Sequence, residues 1–162
     1  MENDRIVGMM KQLAKKINYD PIDITHLAKA MCVNELDNGN TSEKEYSNGS
    51  LATLGDDVLD VIIAEKLYLE GRNRGSITTT KSDIVNNGTL HQWTLEHGIH
   101  RFAYNDQYFF DEAPGHLQLP NPKHDIYLEA IIGAIYLDRG FEYCKDWIES
   151  NVLPAVLTHR LA

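Results

Sequence analysis

The sequence predicts an all-α domain, and three observations carry that prediction. Between Ser50 and Leu69 the apolar residues Leu51, Leu54, Val58 and Ile62 keep helical spacing. From Asp125 to Leu137 the run DIYLEAIIGAIYL is apolar or small on both sides of one internal carboxylate, Glu129. No stretch alternates apolar and polar residues for long enough to require a sheet, and neither an internal repeat nor a low-complexity tract is present.

Residues 5–17 form an amphipathic helix with Ile6, Met9, Met10, Leu13 and Ile17 on one face. Asp23 or Thr25 caps a second helix running to about Leu36, and the polar, glycine-containing string from 37 to 50 is a loop. The long helix from about 50 to 70 stops at Gly71, and the basic segment GRNRGSITTTK that follows reads as a loop. A helix from Lys81 to about Leu95 uses Ile84, Val85, Leu90, Trp93 and Leu95, with Asn87-Gly88 as its weak point. Residues 102–123 hold three of the five prolines and interleave aromatic with polar residues, which predicts an ordered, lid-like loop with room for a short helix at 105–110. Asp125 then caps the apolar helix, Gly140 ends it, and a last amphipathic helix from Phe141 to about Leu157 turns Phe141, Trp147, Ile148 and Val152 inward.

At 162 residues and 18.4 kDa the chain fits a single domain, 1–162, with its core between about 5 and 157. The charged, amphipathic first residues lack the apolar segment of an export signal, and no run reaches the roughly 18 apolar residues of a membrane span. The expectation is a soluble, cytoplasmic protein with no membrane contact. Cys32 and Cys144 are isolated thiols, read as small buried hydrophobes rather than a disulfide or zinc framework. With 24 acids against 15 bases, a net charge of −9 excludes binding of nucleic acid by overall field, so any RNA contact is local. Arg72, Arg74 and Lys81, with Arg101 as a further member, form the candidate basic cluster for RNA; the plain alternative is a solvated loop.

The acids inside the two apolar runs are the chemical anomaly. An ionised carboxylate among apolar neighbours is costly unless a positive partner meets it. Ala130, Gly133 and Ala134 in one run, with Ala52 and Gly55 in the other, strip side-chain bulk from places where two backbones can meet, which lets Glu129 and Asp56 converge on a shared cation. The alternative is that Asp56 faces solvent beside Asp57 and Asp60 while Glu129 bonds a buried Tyr or Lys. The seven histidines show no metal-ligand spacing, and no phosphate loop or nucleophile motif is present.

Three segments in one order carry a resemblance: LGDDVL at 54–59, VNNGTL at 85–90 and EAIIGAIYLDRGFE at 129–142. They resemble the landmark segments of the ribonuclease III catalytic domain. Leu27, Asn34 and Glu35 also match the ends of an upstream family segment, whereas Ala28, Lys29 and Met31 depart from its middle. The resemblance implies the helical ribonuclease III endonuclease fold, a homodimer, and magnesium-dependent hydrolysis of double-stranded or structured RNA, with Mn²⁺ as a substitute ion. By resemblance Asp56 and Glu129 are the catalytic acids, and Asp56, Glu129 and Asp125 are the metal ligands.

The departures matter as much. Where the family reads Asn-Glu-Arg-Leu-Glu-Phe-Leu-Gly-Asp, this chain reads Asn48-Gly49-Ser50-Leu51-Ala52-Thr53-Leu54-Gly55-Asp56, so both glutamates and the Phe of the subunit contact are gone. Ile126 stands where the family carries an Asp three residues before the Glu. Asp125 lies one residue off, a swing of about 100° on a helix, so it serves either as a replacement ligand or as an N-cap. The reduced motif and the lack of a double-stranded-RNA-binding domain are similar to the Mini-III branch, while GAIYLDRGFE and VNNGTL are closer to the ordinary branch. Three function classes follow: an endoribonuclease with a reduced acidic site, in which Asp125 or Asp57 assists beside the direct ligands; a catalytically impaired relative that keeps the fold to bind structured RNA or a ribosomal partner; or a purely structural dimer module with no RNA role.

Overall fold

The computed structural model describes residues 2–36, 45–112 and 125–154. Helix α1 (Asn3–Lys16) buries Met10, Leu13 and Ala14, with Asp4 in its first turn and Lys15 and Lys16 in its last complementing the helix dipole. Asn18 adopts a left-handed conformation, φ 58°, which turns the chain so that Tyr19 is buried. Asp23 accepts hydrogen bonds from the backbone N–H and the hydroxyl of Thr25, and helix α2 (Thr25–Met31) follows.

Helix α2 does not reach Leu36 as its sequence predicts. Cys32 is extended, Val33 N–H donates to Tyr104 carbonyl at 2.8 Å, and Tyr104 N–H donates to Met31 carbonyl at 3.0 Å, so pairing with a distant strand-like residue replaces the last helical turn. The chain then forms a two-residue antiparallel ribbon, β1 (Glu35–Leu36) with β2 (Glu45–Tyr46), in which Glu35 pairs with Tyr46. Such a ribbon is too short to leave an alternation in sequence. Most of the expected loop at 37–50 lies outside the described residues.

Helix α3 (Gly49–Leu69) turns Ala52, Gly55, Val58, Leu59, Ile62, Ile63 and Leu67 inward. Gly71, φ 81°, redirects the chain. The basic segment is not a loop: helix α4 (Arg74–Val85) begins inside it, capped by Asn73, whose side chain accepts from Ser76 N–H at 2.9 Å. The β-branched run Ile77-Thr78-Thr79-Thr80 is helical because Thr80 and Ile84 are buried, with Ile77 packed beside them, and burial outweighs a weak propensity. Asn86 both ends α4 and caps helix α5 (Asn87–Glu96) through Thr89 N–H, so the break falls one residue before the predicted one.

After α5 a 3-10 turn at Ile99–Phe102 leads to Tyr104, which bridges Phe109, and a second 3-10 turn covers Phe110–Glu112. No helix forms at 105–110; Asn105 instead accepts from Gln107 and Tyr108 N–H groups. The remainder of that expected loop, with His116 and His124, lies outside the described residues. Helix α6 (Asp125–Arg139) is central: Tyr127, Leu128, Ala130, Ile131, Ile132, Ala134 and Ile135 are all inaccessible, and it packs against α2, α3, α5 and helix α7 (Phe141–Asn151). Gly140, φ 86°, separates α6 from α7. The last turn of the predicted final helix lies outside the described residues. Trp147 Nε1–H donates to Ile17 carbonyl at 2.8 Å and Trp93 Nε1–H to Asn151 carbonyl at 3.0 Å, which ties α7 to α1 and α5. Both cysteines are free; burial pushes the Cys144 thiol up to about 12, and Cys32 is half-buried rather than enclosed. No described helix is long and apolar enough to cross a membrane.

Candidate metal and RNA site

The site begins with two glycines. A Cβ placed on Gly55 would lie 1.7 Å from the Glu129 carbonyl oxygen, and one placed on Gly133 would lie 2.4 Å from the Leu51 carbonyl oxygen. Helices α3 and α6 therefore touch main chain to main chain. The residue that follows Gly55 is Asp56, and the residue whose backbone meets Gly55 is Glu129, so the contact itself brings both predicted acids to one crossing. Each is half-buried, with Tyr127, Leu128, Ala130 and Ile131 enclosed around Glu129.

Carboxylate oxygens of Asp56, Asp57 and Asp60 lie within 4.8 Å of one another, and Glu129 does not join this group of three. Asp60 is one helical turn after Asp56 and projects from the same face. Ala52, one turn before Asp56, is buried at 4% exposure and offers no ligand. The sequence thus keeps an i, i+4 carboxylate pair, displaced downstream by a turn. Sequence reasoning gives Asp57 at most an assisting part and names Asp60 only as a neighbour of Asp56, although the Asp56 to Asp60 spacing is visible there.

Burial raises the Asp56 carboxyl above its ordinary range; Asp60 and then Asp57 add to the rise, and Lys81 opposes it. Three hard oxygen donors with mutual repulsion fit a divalent cation such as Mg²⁺ or Mn²⁺, whose charge would relieve the repulsion. Asp125 is the first residue of α6, and its side chain lies outside the described residues. Ile126 is half-buried and apolar at the position where the family resemblance places an acid.

The three predicted basic residues have different surroundings. Arg72 donates to Glu70 at 3.2 Å, Thr80 at 3.1 Å and Ser76 at 3.4 Å, so its guanidinium staples the end of α3 to α4. Arg74 is exposed at the start of α4, and Lys81, half-buried on the same helix, opposes the rise of the Asp56 carboxyl. Near the start of α3, a cleft of about 420 Å³ is lined by Leu36, Glu45, Tyr46, Gly49, Ser50, Thr53 and Ile126. His97 stacks on Trp93, ring centroids 4.2 Å apart, with Nδ1 2.8 Å from the Trp93 carbonyl oxygen.

The family model of the Ribonuclease III domain matches residues 49–140, more than half the chain, and takes in both Asp56 and Glu129. The chain belongs to the ribonuclease III domain family. It is 30% identical over 146 residues to "Ribonuclease 3" of Phocaeicola vulgatus, covering 86% of this chain and 44% of that protein. Against "Ribonuclease 3" of Bacteroides fragilis it is 34% identical over 119 residues, covering 68% of this chain and 36% of the relative. The chain thus spans less than half the length of these two ribonuclease III relatives. In structure it is similar to the nuclease domain of ribonuclease III from Campylobacter jejuni, with a TM-score of 0.64, 25% identity, and coverage of 88% of this chain and 98% of that one. The all-α ribonuclease III domain expected from the motifs is therefore the fold observed.

Proposed function

We propose that this chain is a single, divalent-metal-dependent endoribonuclease domain that hydrolyses phosphodiester bonds in double-stranded or structured RNA in the cytoplasm. The observation that carries the reading is the carboxylate group at Asp56, Asp57 and Asp60 beside the backbone crossing that holds Glu129. In this reading Asp56 and Glu129 are the catalytic acids and hold Mg²⁺ or Mn²⁺; Asp60 provides the second α3 carboxylate in place of the one lost at Ala52, and Asp125 is a further ligand at the start of α6. Such an ion supplies a hydroxide-like nucleophile at neutral pH and charge stabilisation at the leaving oxygen. Arg74 and Lys81 meet backbone phosphates, while Arg72 shapes the surface that presents them. The resemblance extends to a homodimer, whose twofold axis would bring two sites to the two strands of a duplex. A-form RNA would then be read through its shape and 2′-hydroxyls.

Ala52 and Ile126, apolar where the family carries acids, favour one competing reading: a fold retained to bind structured RNA or a ribosomal partner without cleaving. The deciding experiment incubates purified protein with long double-stranded RNA at low salt, with Mg²⁺, with Mn²⁺ or with EDTA, alongside Glu129→Gln and Asp56→Asn. Ion-dependent cleavage lost in both variants supports the nuclease. Folded wild type that binds the duplex and leaves it intact with excess ion supports the binding protein.

A further inference from the structure

The outer face of α1 ends in a row of cations. Lys11 and Lys15 stand one turn apart on that face, Lys16 follows directly, and all three are exposed. Arg101, the outlying member of the predicted basic cluster, is set beside Lys16 by the 3-10 turn at Ile99–Phe102. The Lys16 ammonium lies 5.8 Å from the Phe102 ring centroid and 3.2 Å from where a Cβ on Gly98 would stand, and Arg101 Cδ lies 3.8 Å from that same point. Gly98, φ 62°, therefore serves twice: it makes the left-handed turn, and its missing side chain leaves the space into which Lys16 reaches.

Among the described residues none of these four cations closes an ion pair, whereas Arg5, Lys66, Arg72, Arg139 and Lys145 each meet an acid. The helix dipole accounts in part for Lys15 and Lys16, but not for Lys11, a turn further in, nor for Arg101 on another element. A chain of net charge −9 repels phosphate overall, so four like charges gathered without acids mark a place where an anion is met. None of the large exposed apolar side chains among the described residues lies on α1 or on the 3-10 turn, so the patch has no anchor of the kind protein interfaces use.

We infer that Lys11, Lys15, Lys16 and Arg101 form a second RNA contact, which holds the phosphate backbone of a duplex by charge and takes no part in cleavage. The inference rests on the proposed action on RNA and adds to α4 a separate holding surface. Lys11 and Lys15 are spaced by a helical turn, about 5.4 Å, so they meet different phosphates. The lysines act as point charges, and the Arg101 guanidinium forks onto phosphate oxygens.

The test uses the full chain with Lys11→Gln, Lys15→Gln, Lys16→Gln and Arg101→Gln, singly and combined, and Lys16→Arg as the variant that keeps its charge. Lys29→Gln, exposed on α2, removes an equal charge elsewhere. Affinity for a fluorescent RNA duplex is read by anisotropy in excess Ca²⁺ across a salt series, with thermal unfolding to confirm that each variant is folded. Each single Gln variant of the patch is expected to bind about fivefold more weakly near about 0.1 M salt, with a salt slope shallower by about one. The combined variant should lose about 100-fold or more, while Lys16→Arg and Lys29→Gln bind as wild type does. Wild-type affinity in the folded combined variant overturns the patch as an RNA contact and leaves the α4 contacts and the acidic site standing. A loss in Lys29→Gln equal to the losses in the patch overturns it as well, since overall field would then account for them. Absence of any duplex binding by wild type overturns the patch together with the RNA reading.

Discussion

Gly55→Ala sets two magnitudes of opposite sign against each other. In an ordinary helix interior, Ala is better than Gly by about 1 kcal/mol. At Gly55 the new Cβ would meet the Glu129 carbonyl oxygen at 1.7 Å, with the Glu129 carbonyl carbon at 2.7 Å and Gly133 N at 2.8 Å. These are main-chain atoms that no rotamer change removes. Restoring an ordinary separation of about 3.2 Å parts α3 from α6 by roughly 1.5 Å, and overpacking of this kind costs about 1–3 kcal/mol or more. The net expectation is a loss of about 2 kcal/mol, seen as a Tm lower by roughly 4–8 °C for a domain of this size. The same displacement moves Asp56 relative to Glu129, so cleavage should fall about 100-fold, in keeping with the cost of misplacing catalytic groups by an ångström or more. Gly8→Ala is the matched control: Gly8 lies in α1 with nothing within 4 Å of its new Cβ, and it should gain up to about 1 kcal/mol. Urea and thermal unfolding with a cleavage assay on both variants decide the matter. A Gly55→Ala protein as stable and active as wild type would refute the main-chain contact as the element that sets the site.

Asp56→Asn should raise Tm in EDTA at neutral pH while abolishing cleavage, because burial, then Asp60 and Asp57, raise this carboxyl in the fold. Its ionisation therefore withdraws stability as pH climbs through the raised value, and a variant whose Tm keeps the wild-type pH dependence would contradict that account. At Asp138, burial works to raise the carboxyl, but hydrogen bonds from the Tyr19 hydroxyl and from Ile22 and Asp23 N–H groups outweigh it and hold it low. Its contribution is complete above the ordinary carboxylate range and is lost as pH falls below about 4. Asp138→Asn should cost about 1–2 kcal/mol at pH 7 and less at pH 3 in urea titrations; an equal loss at both would show that charge is not involved. Thr53→Phe places an aromatic residue at an exposed α3 position on the cleft lined by Leu36, Tyr46 and Ile126. If that cleft faces a second copy, sedimentation should show a dimer tighter by about 30-fold, the effect of one aromatic anchor worth about 2 kcal/mol, and an unchanged constant would place the subunit contact elsewhere.

What the sequence made legible follows what local chemistry determines. Helices α3 and α6 were readable because long apolar spacing and small residues determine both the helix and its packing face, and Gly55 and Gly133 meet where those small residues predicted. Helix α4 was not readable at its start: Gly75 and three threonines speak for a loop, and only the burial of Thr80 and Ile84 against other elements overrules them. The end of α2 was missed for the same reason, since Tyr104, more than 70 residues away, supplies the pairing that stops it. At the site, the anomaly of an acid in an apolar run pointed to Asp56 and Glu129. Asp60 was not singled out and Asp57 only as an assistant, because an acid on the outer face of a helix is ordinary until its oxygens are seen to converge.

The Asn86 junction sets a limit on how α4 can move. One side chain closes α4, through its amide to Asp83 carbonyl, and opens α5, through its oxygen to Thr89 N–H. The two helices thus share one hinge pin, and α5 is in turn wedged against α6 and, by Trp93, against α7. Rocking α4 as a body would drag that pin with it, so α4 cannot shift without disturbing the mount of α5 against the core. The face that carries Arg74 and Lys81 is therefore a fixed bracket, whose side chains can swing while the helix beneath them stays put.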